Sequence, residues 1–521
     1  MKYQILNRSR TFVCFVLASV SIISGCTKNY PELNTDPTRL TSLNSGDIKG
    51  LFTNAQYMAM YSGRNSSEYQ YTQGLFADQY AQYSATTATF DPTDRFNIIQ
   101  DWIQEQWMAT YTKSLPPIFA IIKETNTPET KALNAIARIW KVWIMHRATD
   151  YYGPIPYSKV GTDGTTINYD AQKDIYMDLF KELKEATDDL KGNLGQPSYG
   201  TQDVIFNGDN AKWLKFGNTL RLRLALRISD VDPAKAKTEA EAAVAGGTMV
   251  NLSDDAYLKV SGVNYNGYTR QSGWNEFRMS ETMESVLVGW KDPRLSKYWA
   301  PSLNTGKYKG VRNGMNVAEI VAAPNDPDNT SGPANELLPA FNFVTPSTVM
   351  YTAEAYFLRA EGALNGWVMG GTAKEFYDKG IEMSLRTWKI TDDAAIAAYI
   401  NGTTLPSAPG GYFNTPRLTD IPVKFETGSI EKQREQVLTQ KWLALFPEGH
   451  EAWASIRRSG YPKLYPVIHS DNPDVDPKKG IRRIPFLNYD RDRNAAAVKA
   501  AEALLGGPDK ASTKLWWDVR P

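Results

Sequence analysis

The stretch VMYTAEAYFLRAEGALNGWVMGGTAKEFYDKGIEMSLRTW, residues 349–388, decides the architecture of the chain. In its first half Val349, Ala353, Phe357, Ala360, Leu364 and Trp367 recur at steps of three and four, the spacing of one helix face. In its second half Ala373, Tyr377, Ile381, Leu385 and Trp388 repeat the pattern, and Asn365, Gly366, Gly370 and Gly371 supply a turn between them. Small residues such as Ala353, Ala360, Gly362 and Gly380 allow two helix backbones to approach closely. The spacing predicts a helical hairpin about one tetratricopeptide unit long, where ~34 residues is usual. A lone hairpin leaves its apolar face uncovered, so neighbours must stack on it. The fold class expected is therefore mainly α: a tetratricopeptide-like helical-hairpin scaffold with long loop-rich insertions that form a ligand-binding face.

Outward from this hairpin, helical periodicity predicts two helices in 45–85, then helices over 97–114, 127–149, 170–191, 210–228 and 233–246. Pro116 and Pro117 are expected to interrupt the helix after 97–114. Asp209 is read as the cap of the helix lined by Trp213, Phe216, Leu220 and Leu224. Arg221, Arg223 and Arg227 lie on that helix, and a solvated or carboxylate-paired face explains them better than an anion site. Beyond the hairpin, 402–422 reads as loop, 431–445 as helix, a short helix follows to 458, and an Ala-rich helix spans 494–505. From about 250 to 345 the periodicity fades, apart from one piece near 280–290. Long irregular insertions in a helical frame are usually functional or disordered, and the many aromatic residues here favour order.

The 521 residues carry a formal charge of +1, which argues against a general basic field and against nucleic-acid binding. The 14 Trp and 28 Tyr against 19 Phe tilt the aromatics toward rings with a polar tip, suited to wet binding surfaces or to a hydrogen-bonded core. The first 25 residues read as a signal peptide: Lys2, Arg8 and Arg10 precede a 13-residue apolar run over 11–23, too short to span a bilayer. Ile22-Ile23-Ser24-Gly25-Cys26 has the pattern of a bacterial lipobox, in which Cys26 is lipidated and becomes the new amino terminus. Residues 26–521 are then expected to form a single domain, anchored rather than inserted. With Cys14 removed in the signal, no thiol remains for a disulfide or a thiolate metal site.

Four further stretches carry a resemblance. They are Glu32-Leu33-Asn34-Thr35-Asp36-Pro37 after the lipobox; Asp150-Tyr151-Tyr152-Gly153-Pro154-Ile155-Pro156-Tyr157-Ser158; the helix 218–228 followed by Asp292-Pro293-Arg294-Leu295; and Gln440-Lys441-Trp442-Leu443-Ala444-Leu445-Phe446, continuing through Glu451-Ala452-Trp453 to Arg457-Arg458-Ser459-Gly460-Tyr461-Pro462. In this order they resemble the SusD/RagB-like outer-membrane lipoproteins of Bacteroidetes, the SusD-like 2 branch. The resemblance implies a stacked-helix scaffold, a lipid anchor in the outer membrane facing outward, and a partner: a SusC-like TonB-dependent transporter that the lipoprotein caps as a lid. It implies an oligosaccharide ligand, with peptide as the alternative on the same frame, or a lid with little affinity of its own. It implies no catalysis and no cofactor. The quoted motifs read as turn and packing chemistry, so the ligand contacts must be sought elsewhere.

A sugar has an apolar CH face, which a flat aromatic ring covers, and a polar edge for amides, guanidinium groups and carboxylates. The best match is 264–275, Asn264-Tyr265-Asn266-Gly267-Tyr268-Thr269-Arg270-Gln271-Ser272-Gly273-Trp274-Asn275. Tyr268 and Trp274 are the candidate platforms, with Asn266, Arg270 and Gln271 as polar contacts; the alternative is that these rings pin the loop to the scaffold. Tyr83, beside the Ser/Thr-rich loop 84–93, is a second candidate ring. Enzymatic readings have little to stand on. The three His, at 146, 450 and 469, form no metal pair, and no phosphate loop or nucleophile elbow is present. The Asp-rich turns at 326–328 and 471–476 lack the twelve-residue calcium-loop pattern.

Overall fold

The computed structural model describes residues 43–62, 67–162, 166–337 and 345–520. The lipobox, Cys26 and the segment that follows it lie outside the described residues. Residues 49–521 form one compact unit; of the preceding unit, 1–48, residues 43–48 are described, with helical backbone from Ser45.

Eight helices make the frame: α1 (Lys131–Tyr152), α2 (Gln172–Gly192), α3 (Asn210–Arg227), α4 (Pro233–Gly246), α5 (Thr352–Leu364), α6 (Ala373–Thr387), α7 (Ile430–Leu445) and α8 (Gly449–Ser459). They pair as hairpins, α1 with α2, α3 with α4 and α5 with α6. The hairpins stack because α3 packs on both α2 and α5, and α5 packs on α7. The opening stretch is thus a hairpin among stacked hairpins, as its uncovered apolar face requires.

Local chemistry sets the helix limits. Asp209 caps α3 by accepting from Lys212 N at 3.0 Å. Thr372 and Glu375 form a capping box at the start of α6. Helix α5 starts at Thr352 and not at Val349, because Ser347–Met350 is a strand paired with Ala256–Leu258. Helix α1 runs through Asp150 to Tyr152, past the limit the sequence suggests, and stops at Gly153, whose φ of 87° suits glycine. Pro116 and Pro117 do not break a helix. They stand in the first turn of Leu115–Glu124, where the missing N–H costs nothing. In 45–85, the helix Ser45–Ala59 is followed by short helical pieces and not by a second long helix.

The hairpin contact is tight where the small residues predict it. A Cβ on Gly380 would lie 2.8 Å from the fully buried Phe357 ring. Overpacking of this kind costs about 1–3 kcal/mol, against a helix-propensity gain of about 1 kcal/mol for Gly to Ala. Gly380→Ala should therefore lower the unfolding free energy by up to roughly 2 kcal/mol, read as a shift in denaturant midpoint.

Where the helices meet, the core is ionic as well as aromatic. Trp140 and Trp143 of α1 stack at 5.7 Å, and Phe216 of α3 packs against both. The arginines of α3 are carboxylate-paired, but inside the protein. Arg221 pairs with Glu239 of α4, and Arg223 grips Glu354 of α5 with bonds of 2.7 and 2.6 Å. Arg227 reaches Glu451 of α8 and Asp150 of α1. Arg147 of α1 holds Glu448 at 2.6 Å, and Lys441 of α7 holds Glu451 at 3.2 Å. Apart from Arg221 and Glu239, these side chains are at most 3% exposed, so each charge depends on its partner.

Candidate ligand-binding face

The irregular insertion is ordered by short strands. Ser84–Thr86 (β1) pairs antiparallel with Phe277–Met279 (β2), in the register Ser84 with Met279 and Thr86 with Phe277. Thr87 N extends the pairing to Glu276 O at 2.9 Å. The two stretches singled out from sequence, 264–275 and the Ser/Thr-rich loop after Tyr83, are therefore neighbours at one edge of the scaffold.

Within 264–275 a short helix, Gly267–Ser272, replaces the expected loop. Its cap is Asn266, whose Oδ1 accepts from Tyr268 N at 2.9 Å and whose Nδ2 donates to Pro346 O at 3.0 Å. This use of both amide ends, with 6% exposure, makes Asn266 a positioning residue and corrects its reading as a direct sugar contact. Tyr268 is also corrected. Its ring is 4% exposed, wedged among Tyr69, Phe277 and Phe446, and presents no face to water. Gln271 is buried over Gly74, where its amide fills the space a Cβ would need. Tyr83 is buried too, stacked on Trp442 at 5.3 Å with its hydroxyl donating to Trp442 O at 2.6 Å. These rings pin the insertion to α7 and its following turn.

What remains open is a smaller set. Trp274 is half-buried, and Asn275 beside it is exposed with φ at 63°, which turns the chain sharply. Arg270 is half-buried, its guanidinium 5.7 Å from the centre of the Tyr265 ring. Glu276 receives Gln70 Nε2 at 2.8 Å, and burial pushes its carboxyl upward. From the segment after β1 comes Phe90, 56% exposed and not among the rings singled out from the sequence. Its signal was its place in a run of Ser and Thr immediately before Asp91-Pro92. Rings, amides, a carboxylate and a guanidinium thus occur among the residues left accessible in the two stretches, and these are the group types that bind sugars. A small pocket nearby is lined by Tyr69, Gln73, Asn266, Tyr268, Ser347 and Glu448 among others. The Tyr268 hydroxyl and Ser347 Oγ have no hydrogen-bond partner there.

A buried acid, Asp94, accepts from the backbone of β1. Burial, with help from the nearby Asp91 charge, pushes Asp94 up to about 7, although Asn313 and the N–H groups of Gly314 and Thr86 donate to it. The folded chain thus binds this proton more tightly than the unfolded chain, where Asp titrates near 3.9. The stability it contributes is present below about pH 4 and is lost as pH rises to 7. Wild type should lose roughly 1–4 kcal/mol relative to Asp94→Asn between pH 4 and pH 8, measured by urea unfolding of both at each pH.

His146 and His450 are buried in the frame, where burial drives both below the usual range, and His450 stacks on Tyr151 in the first turn of α8, not in a loop. Among the described residues, no group of three His, Cys, Asp or Glu is placed to hold a metal ion. No helix there is long and apolar enough to cross a membrane.

Residues 32–518 match the family model described as Susd and RagB outer membrane lipoprotein. No curated protein matches the chain. Among solved structures, a chitin-binding SusD homologue from Flavobacterium johnsoniae superposes with a TM-score of 0.84 at 36% identity, covering 91% of this chain and 99% of its own. A SusD-like protein from Bacteroides thetaiotaomicron gives 0.82 at 32% identity, covering 91% and 99%. A SusD homologue from Bacteroides vulgatus gives 0.83 at 30%, covering 90% and 97%.

Proposed function

This chain belongs to the SusD-like family of outer-membrane lipoproteins, and from that premise we propose that it captures an oligosaccharide on the face carrying Trp274 and Phe90. It is a binding protein and not an enzyme. The observation that carries the reading is the β1–β2 pairing, which joins the stretch holding the half-buried Trp274 to the segment that runs on to the exposed Phe90. Rigid placement keeps the ordering cost of binding low. Chitin-derived oligosaccharides are the ligand class favoured, since the Flavobacterium johnsoniae homologue is chitin-binding. In this reading Cys26 carries the lipid anchor, the protein faces outward, and the captured sugar passes to a SusC-like TonB-dependent transporter for which the lipoprotein is the lid.

Calorimetry on the chain from residue 27 onward tests the ligand class. Chitohexaose should give saturable heat, and maltohexaose and a mixed peptide pool should not. Heat from the peptides alone would turn the reading to peptide uptake. Heat from none of the three, with transport lost on deletion, would leave a lid without ligand affinity.

A further inference from the structure

A second cleft is lined by residues of 79–96 and of 453–514. An inner and an outer pocket adjoin here, both lined by Ile456, Leu464, Lys478, Lys479, Gly480 and Arg482. Lys514 lines the outer part, and Tyr80 and Arg457 line the inner part.

The charges around this cleft are not balanced. Arg482 is committed to Asp518, and Lys514 Nζ to the backbone carbonyl of Arg520. Of the two lining acids, Asp474 is paired with Lys510 at 2.7 Å and Asp476 accepts from Lys478 N in its own turn. The ammonium groups of Lys478 and Lys479 are exposed and make no ion pair among the described residues. Arg457 is 2% exposed, lies 3.5 Å over the Trp453 ring and gives Nη1 to Arg482 O at 2.8 Å, yet its Nη2 has no partner. The Tyr80 hydroxyl is likewise buried without a partner. A buried guanidinium with an unused N–H pair is costly until an acceptor reaches it. Burial already lowers Arg457 to about 9, despite the nearby charges of Asp150 and Asp518, and it remains a cation at neutral pH.

We propose that this cleft is a binding site for an anionic oxygen group, a carboxylate or sulfate, drawn in by Lys478 and Lys479 and seated toward Arg457 and Tyr80. The group is either free or carried by an acidic sugar, and the site is independent of the ring face. Planar, charge-assisted donation to such oxygens is what a guanidinium does best.

The test is calorimetry at low ionic strength with sodium sulfate and, separately, with trigalacturonic acid, using sodium chloride as the control. Wild type should bind at least one of the two above the chloride background. Binding of sulfate alone points to a free or sulfated anion, and binding of the uronate points to an acidic sugar. Lys478→Ala/Lys479→Ala, which alters only exposed side chains, should weaken that binding at least tenfold while chitohexaose binds as in wild type. Arg457→Lys, if it folds, should weaken it similarly. Absence of binding above chloride, or equal affinity in the double lysine variant, overturns the proposal and leaves the ring-face reading untouched.

Discussion

Glu451→Ala is expected to cost about 3–5 kcal/mol of stability, enough to leave much of the chain unfolded at physiological temperature. The carboxylate is held by Arg227 and by Lys441, with Arg223 Nε 3.6 Å away, all of them buried. Burial alone pushes Glu451 upward, yet Arg227, Lys441 and Arg223 outweigh it and hold the carboxyl below the usual range. Without the acid, Arg223 keeps Glu354 and Arg227 keeps Asp150, but Lys441 retains only Ser455 Oγ at 3.3 Å. Three cations then share too few anions in a medium that does not solvate them. Removing Asp188 from the exposed Lys184 pair, both side chains more than half exposed, should by contrast change stability by less than about 1 kcal/mol. The sign with pH follows. A depressed carboxyl contributes stability above its unfolded value near 4.3, and that contribution is lost as pH falls through the folded value. Urea midpoints for wild type should therefore drop below about pH 4, and Glu451→Gln should start lower and show a shallower drop.

Trp274→Ala is expected to cost the largest share of ligand affinity, roughly 2 kcal/mol or about thirtyfold in Kd. The ring is half-buried, so its removal leaves the frame intact and removes the platform. The contrast lies in the corrected residues. Tyr268→Phe and Tyr83→Phe retain the buried rings, and should leave ligand affinity within twofold. Tyr83→Phe gives up its bond to Trp442 O and should cost about 1 kcal/mol in stability. Chitohexaose titrations of the three variants beside their melting temperatures separate platform from pin. Full affinity in Trp274→Ala with a normal melting temperature removes that residue from the site.

The frame was legible because it obeys period and small-residue rules. The steps of three and four in 349–388, the Asp209 cap and the arginine rows of 218–228 each translate directly into contacts. What escaped was tertiary. Nothing in the sequence near Val349 says that a strand partner waits at Ala256–Leu258, so a helical pattern was extended one turn too far. The helix Asp393–Ile400 was passed over, although Asp392 caps it, because it is short and half its face is solvated. The site shows the same limit. Aromatic and amide residues in 264–275 identify a region, but exposure is decided by which rings the neighbours cover. Tyr69, Phe277 and Phe446 cover Tyr268, and Trp442 covers Tyr83, all from outside the stretch. Asn266 was read as a sugar contact because an amide in a loop looks free, whereas Asn is also a strong helix cap. Phe90 shows the converse, an apolar ring left in water by the segment that follows β1.

A crystal structure of the chain from residue 27 onward, grown with chitohexaose, bears most directly on the account. It should show a pyranose ring lying flat on Trp274, with Arg270 or Asn275 at its hydroxyls and the helical frame unmoved. Sugar bound elsewhere, with Trp274 and Phe90 bare, would contradict it.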